Sequence, residues 1–188
     1  MKEWLNRAFN ADARVSKDLR GLPEKHFFSI LAMIFAHSGD SWFWLGGLFL
    51  VWLLNKGQWR DWAAFLIVGL MIMAFVVVIL KFAIRRPRPD GEWGQIYRIT
   101  DPHSFPSGHA ARSAALAVMA LFVGPPWFAI VVLLWAPWVG LSRVALGVHY
   151  LSDVLVGWVV GGVMGLIALA CQPWIMQMLD WGYRLLGI

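Results

Sequence analysis

The chain has 188 residues, of which 60% are hydrophobic, 15% aromatic and 14% charged. Soluble domains carry about 25% charged and 45–50% apolar residues, so this composition excludes a disordered chain and argues against a soluble globular domain. The formal charge of +5 sits in a few short stretches between long uncharged runs, which is a membrane layout and not a nucleic-acid-binding surface. The single Cys171 excludes an intrachain disulfide framework and a Cys-based zinc site.

Residues 1–25 place Trp4, Leu5, Ala8, Phe9, Val15, Leu19 and Leu22 at helical spacing among six basic and four acidic residues. The pattern predicts an amphipathic segment lying on the membrane surface, or packing on the protein's own face. It lacks the apolar core of a cleavable signal peptide. The membrane core follows over 26–172. Segments 27–38 and 41–55 are short crossings separated by Ser38-Gly39-Asp40-Ser41. Residues 62–80 are nineteen without a charge, 113–142 are thirty and 154–179 are twenty-six. A crossing needs roughly 20 apolar residues, so the thirty-residue run divides at Pro125-Pro126 into crossings near 109–123 and 127–142. The fold class is therefore all-α, an integral membrane bundle of about six transmembrane helices, or five plus one dipping into a leaflet. Residues 173–188, with Trp174, Trp181 and Arg184, form a second interfacial segment. Trp42, Trp44, Trp59, Trp62, Trp127 and Trp174 fall near the proposed ends, as interfacial anchors do.

With six crossings and the N-terminus inside, Lys2, Arg7, Arg14, Lys17, Arg20, Lys25, Lys56, Arg60 and Arg184 lie inside, in line with the positive-inside rule. The exception is 81–112, which carries Lys81, Arg85, Arg86, Arg88, Arg98 and Arg112 on the outer side. A polyanion site explains them. The expected location is the plasma (inner) membrane, with this site on the extracytoplasmic face.

Three clusters carry the chemistry: Lys81 with Arg88-Pro89; Pro106-Ser107-Gly108-His109; and Ser142-Arg143 with His149 and Asp153. Two crossings separate the second from the third, so all three return to one face. Lys81 supplies a point charge, and Arg88 and Arg143 supply planar forks for phosphate oxygens. Ser107 and Gly108 open a helix whose free N–H groups favour an anion, and Gly108 permits close backbone approach. His149 and Asp153 are four apart, so on a helix the carboxylate holds one imidazole nitrogen and leaves the other to attack. His109, from another crossing, suits a separate acid for the leaving group. Taken singly, a His or Arg at a helix end is usually a snorkelling or capping residue, and His26, His37 and His103 keep that reading. Two His and one Asp also spell a metal triad, but five neighbouring cations would repel the ion.

Together the clusters resemble the three-part signature of the type 2 phosphatidic acid phosphatase superfamily, over residues 81–153. The resemblance implies His149 as nucleophile forming a phosphohistidine, Asp153 as its orienting group, and His109 as the acid that later activates water. It implies Lys81, Arg88, Ser107, Gly108 and Arg143 as phosphate-binding residues, with no metal and no cofactor. The stretches 104–112 and 139–149 are similar to the polyisoprenoid diphosphate phosphatase branch. There Arg112 reads either as a cation for a second phosphate or as a cap on local carbonyls or a partner of Asp101. The expected activity is hydrolysis of a lipid phosphate or diphosphate in the bilayer, with an isoprenoid diphosphate such as undecaprenyl diphosphate first. Phosphatidate or phosphatidylglycerophosphate comes second. A lipid phosphotransferase is a related alternative, and a flippase or transporter a non-enzymatic one. Gly157, Gly161 and Gly165 form a small-residue stripe, for packing inside the bundle first and homodimerisation second.

Overall fold

A computed structural model describes residues 2–20, 26–90 and 101–187. Leu22, Lys25 and Arg98 lie outside the described residues, as do the side chains of the first ten residues and of His26. Eight helices are present among the described residues: α1 Lys2–Arg20, α2 His26–Ser38, α3 Ser41–Leu54, α4 Gln58–Ile84, α5 Gly108–Phe122, α6 Pro126–Ala145, α7 Leu151–Ala170 and α8 Gln172–Leu186. Outside them, the described chain forms one isolated bridge, between Pro87 and His103. The chain is an all-α membrane bundle. By length and composition α4, α6 and α7 are each able to span a bilayer, while α2, α3 and α5 are shorter apolar helices.

The breaks follow local chemistry. Gly124 has φ 110°, a region that favours glycine, and a Cβ there would strike the Trp62 indole. Pro125 caps α6 and Pro126 opens it, where a missing N–H costs nothing. The 154–179 run is cut at Cys171, with Pro173 in the first turn of α8.

Helix α5 is the central element and packs most extensively on α7 and α6. Ala110, Ala111, Ala115, Leu116 and Met119 are fully buried. The α5–α7 contact is close because Gly157, Gly161 and Gly165 face α5. A Cβ at Gly157 would lie 2.7 Å from the Ser107 carbonyl oxygen, one at Gly165 would lie 3.0 Å from Val118 Cβ, and one at Gly161 would overlap the Ala111 carbonyl. The stripe thus serves packing within the bundle. Phe75, Leu134 and Val159 point outward and are each about two-thirds exposed, as lipid-facing side chains are.

The six apolar helices expected from the sequence are present, with ends shifted by a few residues, but α2 and α3 run in series. Helix α2 descends along α6, with Phe35 stacked on Trp138 and Trp135 Nε1 donating to Ser38 Oγ at 2.8 Å. The chain bends at Gly39-Asp40, and α3 continues down against α4 until Trp52 Nε1 donates to the Tyr183 hydroxyl on α8 at 3.0 Å. The two helices, of 13 and 14 residues, together match the 27 residues of α4. Among the described residues the chain therefore passes between the two ends of the bundle five times.

Two passes, α2–α3 and then α4, lead from α1 to the loop after α4, so α1 lies at the same end as residues 85–90, 101–107 and 146–150. Arg20 Nη1 donates to the Asp90 carbonyl at 2.9 Å, and Leu151 N donates to Ser16 Oγ at 2.9 Å. The expectation that α1 lies across the membrane from these loops is corrected: two short apolar runs look like two crossings in sequence but fill one. Trp44 and Trp62 are corrected with it. Trp44 sits against Trp135 and Phe128, and Trp62 is buried, with its indole donating to the Val123 carbonyl at 3.0 Å. Trp42, Trp59, Trp127 and Trp174 are exposed, but Trp42 follows the Gly39-Asp40 bend inside the α2–α3 pass, so it too is corrected as an interfacial anchor.

Candidate active site

The three clusters meet at the upper end of the bundle. His149 lies in the short link between α6 and α7. The Arg143 carbonyl accepts from both Val148 N (3.0 Å) and His149 N (3.2 Å), so the end of α6 fixes the link. Asp153, fully buried in the first turn of α7, accepts from Tyr150 N at 2.9 Å through Oδ2. The same Oδ2 lies 3.5 Å from His149 Nδ1, which is buried and makes no hydrogen bond at this separation. Ser107 N donates to the Asp153 carbonyl at 2.9 Å, which ties the start of α5 to the start of α7.

The other imidazole nitrogen, His149 Nε2, lies 3.3 Å from Arg88 Nη1. His149 is 1% exposed. Burial first, then Arg88, Arg143 and Lys81, push the imidazole well below its ordinary range, with Asp101 opposing them. The ring is therefore neutral at pH 7. A neutral ring with Nδ1 toward a carboxylate and Nε2 toward a guanidinium carries its proton on Nδ1 and its lone pair on Nε2.

Lys81 and Arg88 converge on Asp101. Lys81 Nζ pairs with Asp101 Oδ2 and donates to the His103 carbonyl at 3.1 Å. Arg88 donates through Nε to the Asp101 carbonyl at 2.7 Å and lies 2.9 Å from Oδ2 through Nη2. Burial raises Asp101, but the two cations outweigh it, so the carboxyl titrates below its usual range. Two cations that grip one carboxylate are spaced to grip other oxyanions.

Ser107 caps α5, its Oγ accepting from Ala110 N at 3.5 Å. A Cβ at Gly108 would meet only Val77, at 3.7 Å, so packing does not demand the glycine. His109 Nε2 lies 2.8 Å from Asp40 Oδ1. The other oxygen, Asp40 Oδ2, lies 3.3 Å from His37 Nδ1. Arg112 is buried and donates to the Gly39 carbonyl, not to Asp101.

Asp40 and Arg86 are new to the site. Arg86 Nη1 donates to Asp153 Oδ1 and Ser152 Oγ, each at 2.7 Å, and its guanidinium lies 3.9 Å from the Tyr150 ring centroid. In sequence Arg86 is one of several adjacent cations and nothing singles it out. Asp40 carried a signal, since an acidic residue between two apolar runs is a functional marker by default.

A profile described as the PAP2 superfamily matches residues 62–177, more than half the chain. The chain belongs to the PAP2 superfamily. Among curated PAP2-type relatives, a lipid A 1-phosphatase from Porphyromonas gingivalis is 34% identical over 116 residues, covering 58% of this chain and 24% of that protein. An undecaprenyl-diphosphatase from Sulfolobus acidocaldarius is 31% identical over 111 residues, covering 54% of this chain and 53% of that protein. The aligned stretches thus span between a quarter and about half of these relatives' length. The crystal structure of a transmembrane PAP2-type phosphatidylglycerolphosphate phosphatase from Bacillus subtilis has the same fold, with TM-score 0.71 at 24% identity over 88% of this chain and 86% of that one.

Proposed function

We propose that this PAP2 protein hydrolyses a membrane lipid phosphate or diphosphate, through a phosphohistidine on His149. The supporting observation is the His149 ring, buried between Asp153 on Nδ1 and Arg88 on Nε2. A pure binding protein needs neither a nucleophile nor an acid, so a flippase or transporter accounts for less of the geometry. In the proposed sequence His149 Nε2 attacks phosphorus while His109 protonates the departing oxygen. Asp153 offsets the charge that develops on the imidazole. Water, deprotonated by His109, then attacks the phosphohistidine and releases phosphate. Lys81, Arg88, Arg143 and the Ser107-Gly108 helix start hold the phosphoryl oxygens. Close approach of such an anion gives Gly108 a purpose that packing does not.

An isoprenoid diphosphate is the favoured substrate, supported by the 104–112 and 139–149 motifs and by the undecaprenyl-diphosphatase relative. The proposed reaction is metal-free, because the cations around His149 already supply the positive field that a metal would bring. EDTA should leave turnover intact and vanadate should inhibit it; loss in EDTA with recovery on adding a divalent ion refutes this part. For sidedness, α1 now shares the site's end of the bundle. Among the described residues only Lys56, Arg60 and Arg184 supply Lys or Arg at the other end. With Arg14, Lys17, Arg20 and Arg85 beside the site, the positive-inside rule turns the site toward the cytoplasm, the reverse of the expectation built on α1 lying opposite.

The direct test is phosphate release from purified protein on lipid mono- and diphosphates. His149→Ala should abolish turnover and Asp153→Asn should reduce it severely. Near-normal activity of His149→Ala refutes the mechanism.

A further inference from the structure

Helix α1 meets the membrane core through polar contacts. Asp12 Oδ1 accepts from Ser152 N at 3.1 Å, and Oδ2 accepts from Ser152 Oγ and, at 2.7 Å, from Arg86 Nη2. Ser16, fully buried, accepts from Leu151 N. Side chains of α1 thus satisfy two of the free N–H groups that open α7, the helix carrying Asp153. Asp12 does more than cap. Arg86 spans two carboxylates, Asp12 through Nη2 and Asp153 through Nη1, both at 2.7 Å and with all three side chains largely buried.

We propose that Asp12 is a positioning residue for the reaction, acting through Arg86 on Asp153, so that the N-terminal helix is part of the catalytic apparatus and not only a membrane contact. The physical reason is a division of charge. Asp153 has to face His149 with Oδ2 and offset the charge that builds on the imidazole during attack. A guanidinium held entirely by Asp153 would spend that carboxylate's charge. Asp12 takes up part of Arg86, fixes its plane over Tyr150 and leaves Asp153 available to His149. The inference rests on His149 being the nucleophile.

The closing experiment is a double-mutant cycle on full-length protein in detergent, with rates normalised to monodisperse protein. Asp12→Asn should lower kcat about tenfold, the loss of one charge-assisted contact, with KM changed less than about twofold. In an Arg86→Met background the same substitution should have no further effect, since the route is removed. The acid limb of kcat/KM should also move to lower pH in Asp12→Asn. With one carboxylate fewer beside it, Arg86 adds more to the field of Lys81, Arg88, Arg143 and His109 around His149, against Asp101 and Asp153. Ser16→Ala removes the α1 contact to Leu151 N and a long 3.5 Å donation to Asp12 Oδ1 but leaves Asp12 Oδ2 on Arg86, so it should lower the melting temperature and keep kcat. Unchanged kcat in Asp12→Asn, or an equal loss in the Arg86→Met background, overturns the proposal. An equal kcat loss in Ser16→Ala does so too, because α1 docking alone would then explain the effect. His149→Ala in the same series reads the nucleophile separately: activity there defeats the functional reading itself.

Discussion

Gly161→Ala tests the claim that the α5–α7 contact holds the site together. The new Cβ would fall on the Ala111 carbonyl, which is backbone and has no rotamer to retreat into. The helices must separate or rotate. Overpacking of this kind costs about 1–3 kcal/mol, and the better helix propensity of alanine returns roughly 0.5–1 kcal/mol, leaving a net loss of up to about 2.5 kcal/mol. For a chain of this size that lowers the melting temperature by up to about 10 °C. The effect should reach activity, because the start of α5 carries Ser107 and His109, and the start of α7 carries Asp153. A misplacement near 1 Å can cost on the order of a hundredfold in rate. Gly162→Ala is the matched control: a Cβ there meets nothing within 4 Å, so it should be neutral or stabilise slightly. Thermal unfolding in detergent, with phosphate release measured well below the transition, reads both effects. If Gly161→Ala matches Gly162→Ala in melting temperature and rate, the close contact does not organise the site.

Three further outcomes follow from the geometry. The folded-state pKa of His149 is depressed, so as pH falls through about 6.5, the value for a free histidine, the imidazole stays neutral and kcat/KM persists. Activity should fall only below that value, while the unfolded chain, which binds the proton first, is favoured and stability declines. Arg88→Gln should move the acid limb upward, and a wild-type limb at or above 6.5 contradicts the buried neutral ring. If Arg112 recognises a second phosphate, Arg112→Ala should cost diphosphates about ten- to a hundredfold more in kcat/KM than monophosphates with the same tail; equal losses leave it as a clamp on the Gly39 carbonyl. For sidedness, a cysteine at Lys17 in a Cys171→Ser background should react with an impermeant maleimide in inverted membrane vesicles and be protected in intact cells, and the opposite pattern refutes a cytoplasmic site.

The helices and the three clusters were legible in the chain because both are local signals. Uncharged runs report burial in hydrocarbon, paired prolines and Cys171-Gln172-Pro173 mark where helices stop, and Lys81 to Arg88 or His149 to Asp153 are spacings within two turns. Tertiary structure decided what no local period encodes. Helices α2 and α3 are each too short to say whether they cross alone or in series; only their packing, α2 on α6 and α3 on α4, joins them into one pass. That one decision moved α1 to the site's end of the bundle and reversed the charge argument for sidedness. The pairings Asp40–His109, Asp101–Lys81 and Asp12–Arg86 join residues 69, 20 and 74 positions apart. A carboxylate's partner at such range is set by which helices pack, and the buried cations accept whichever acid the fold delivers.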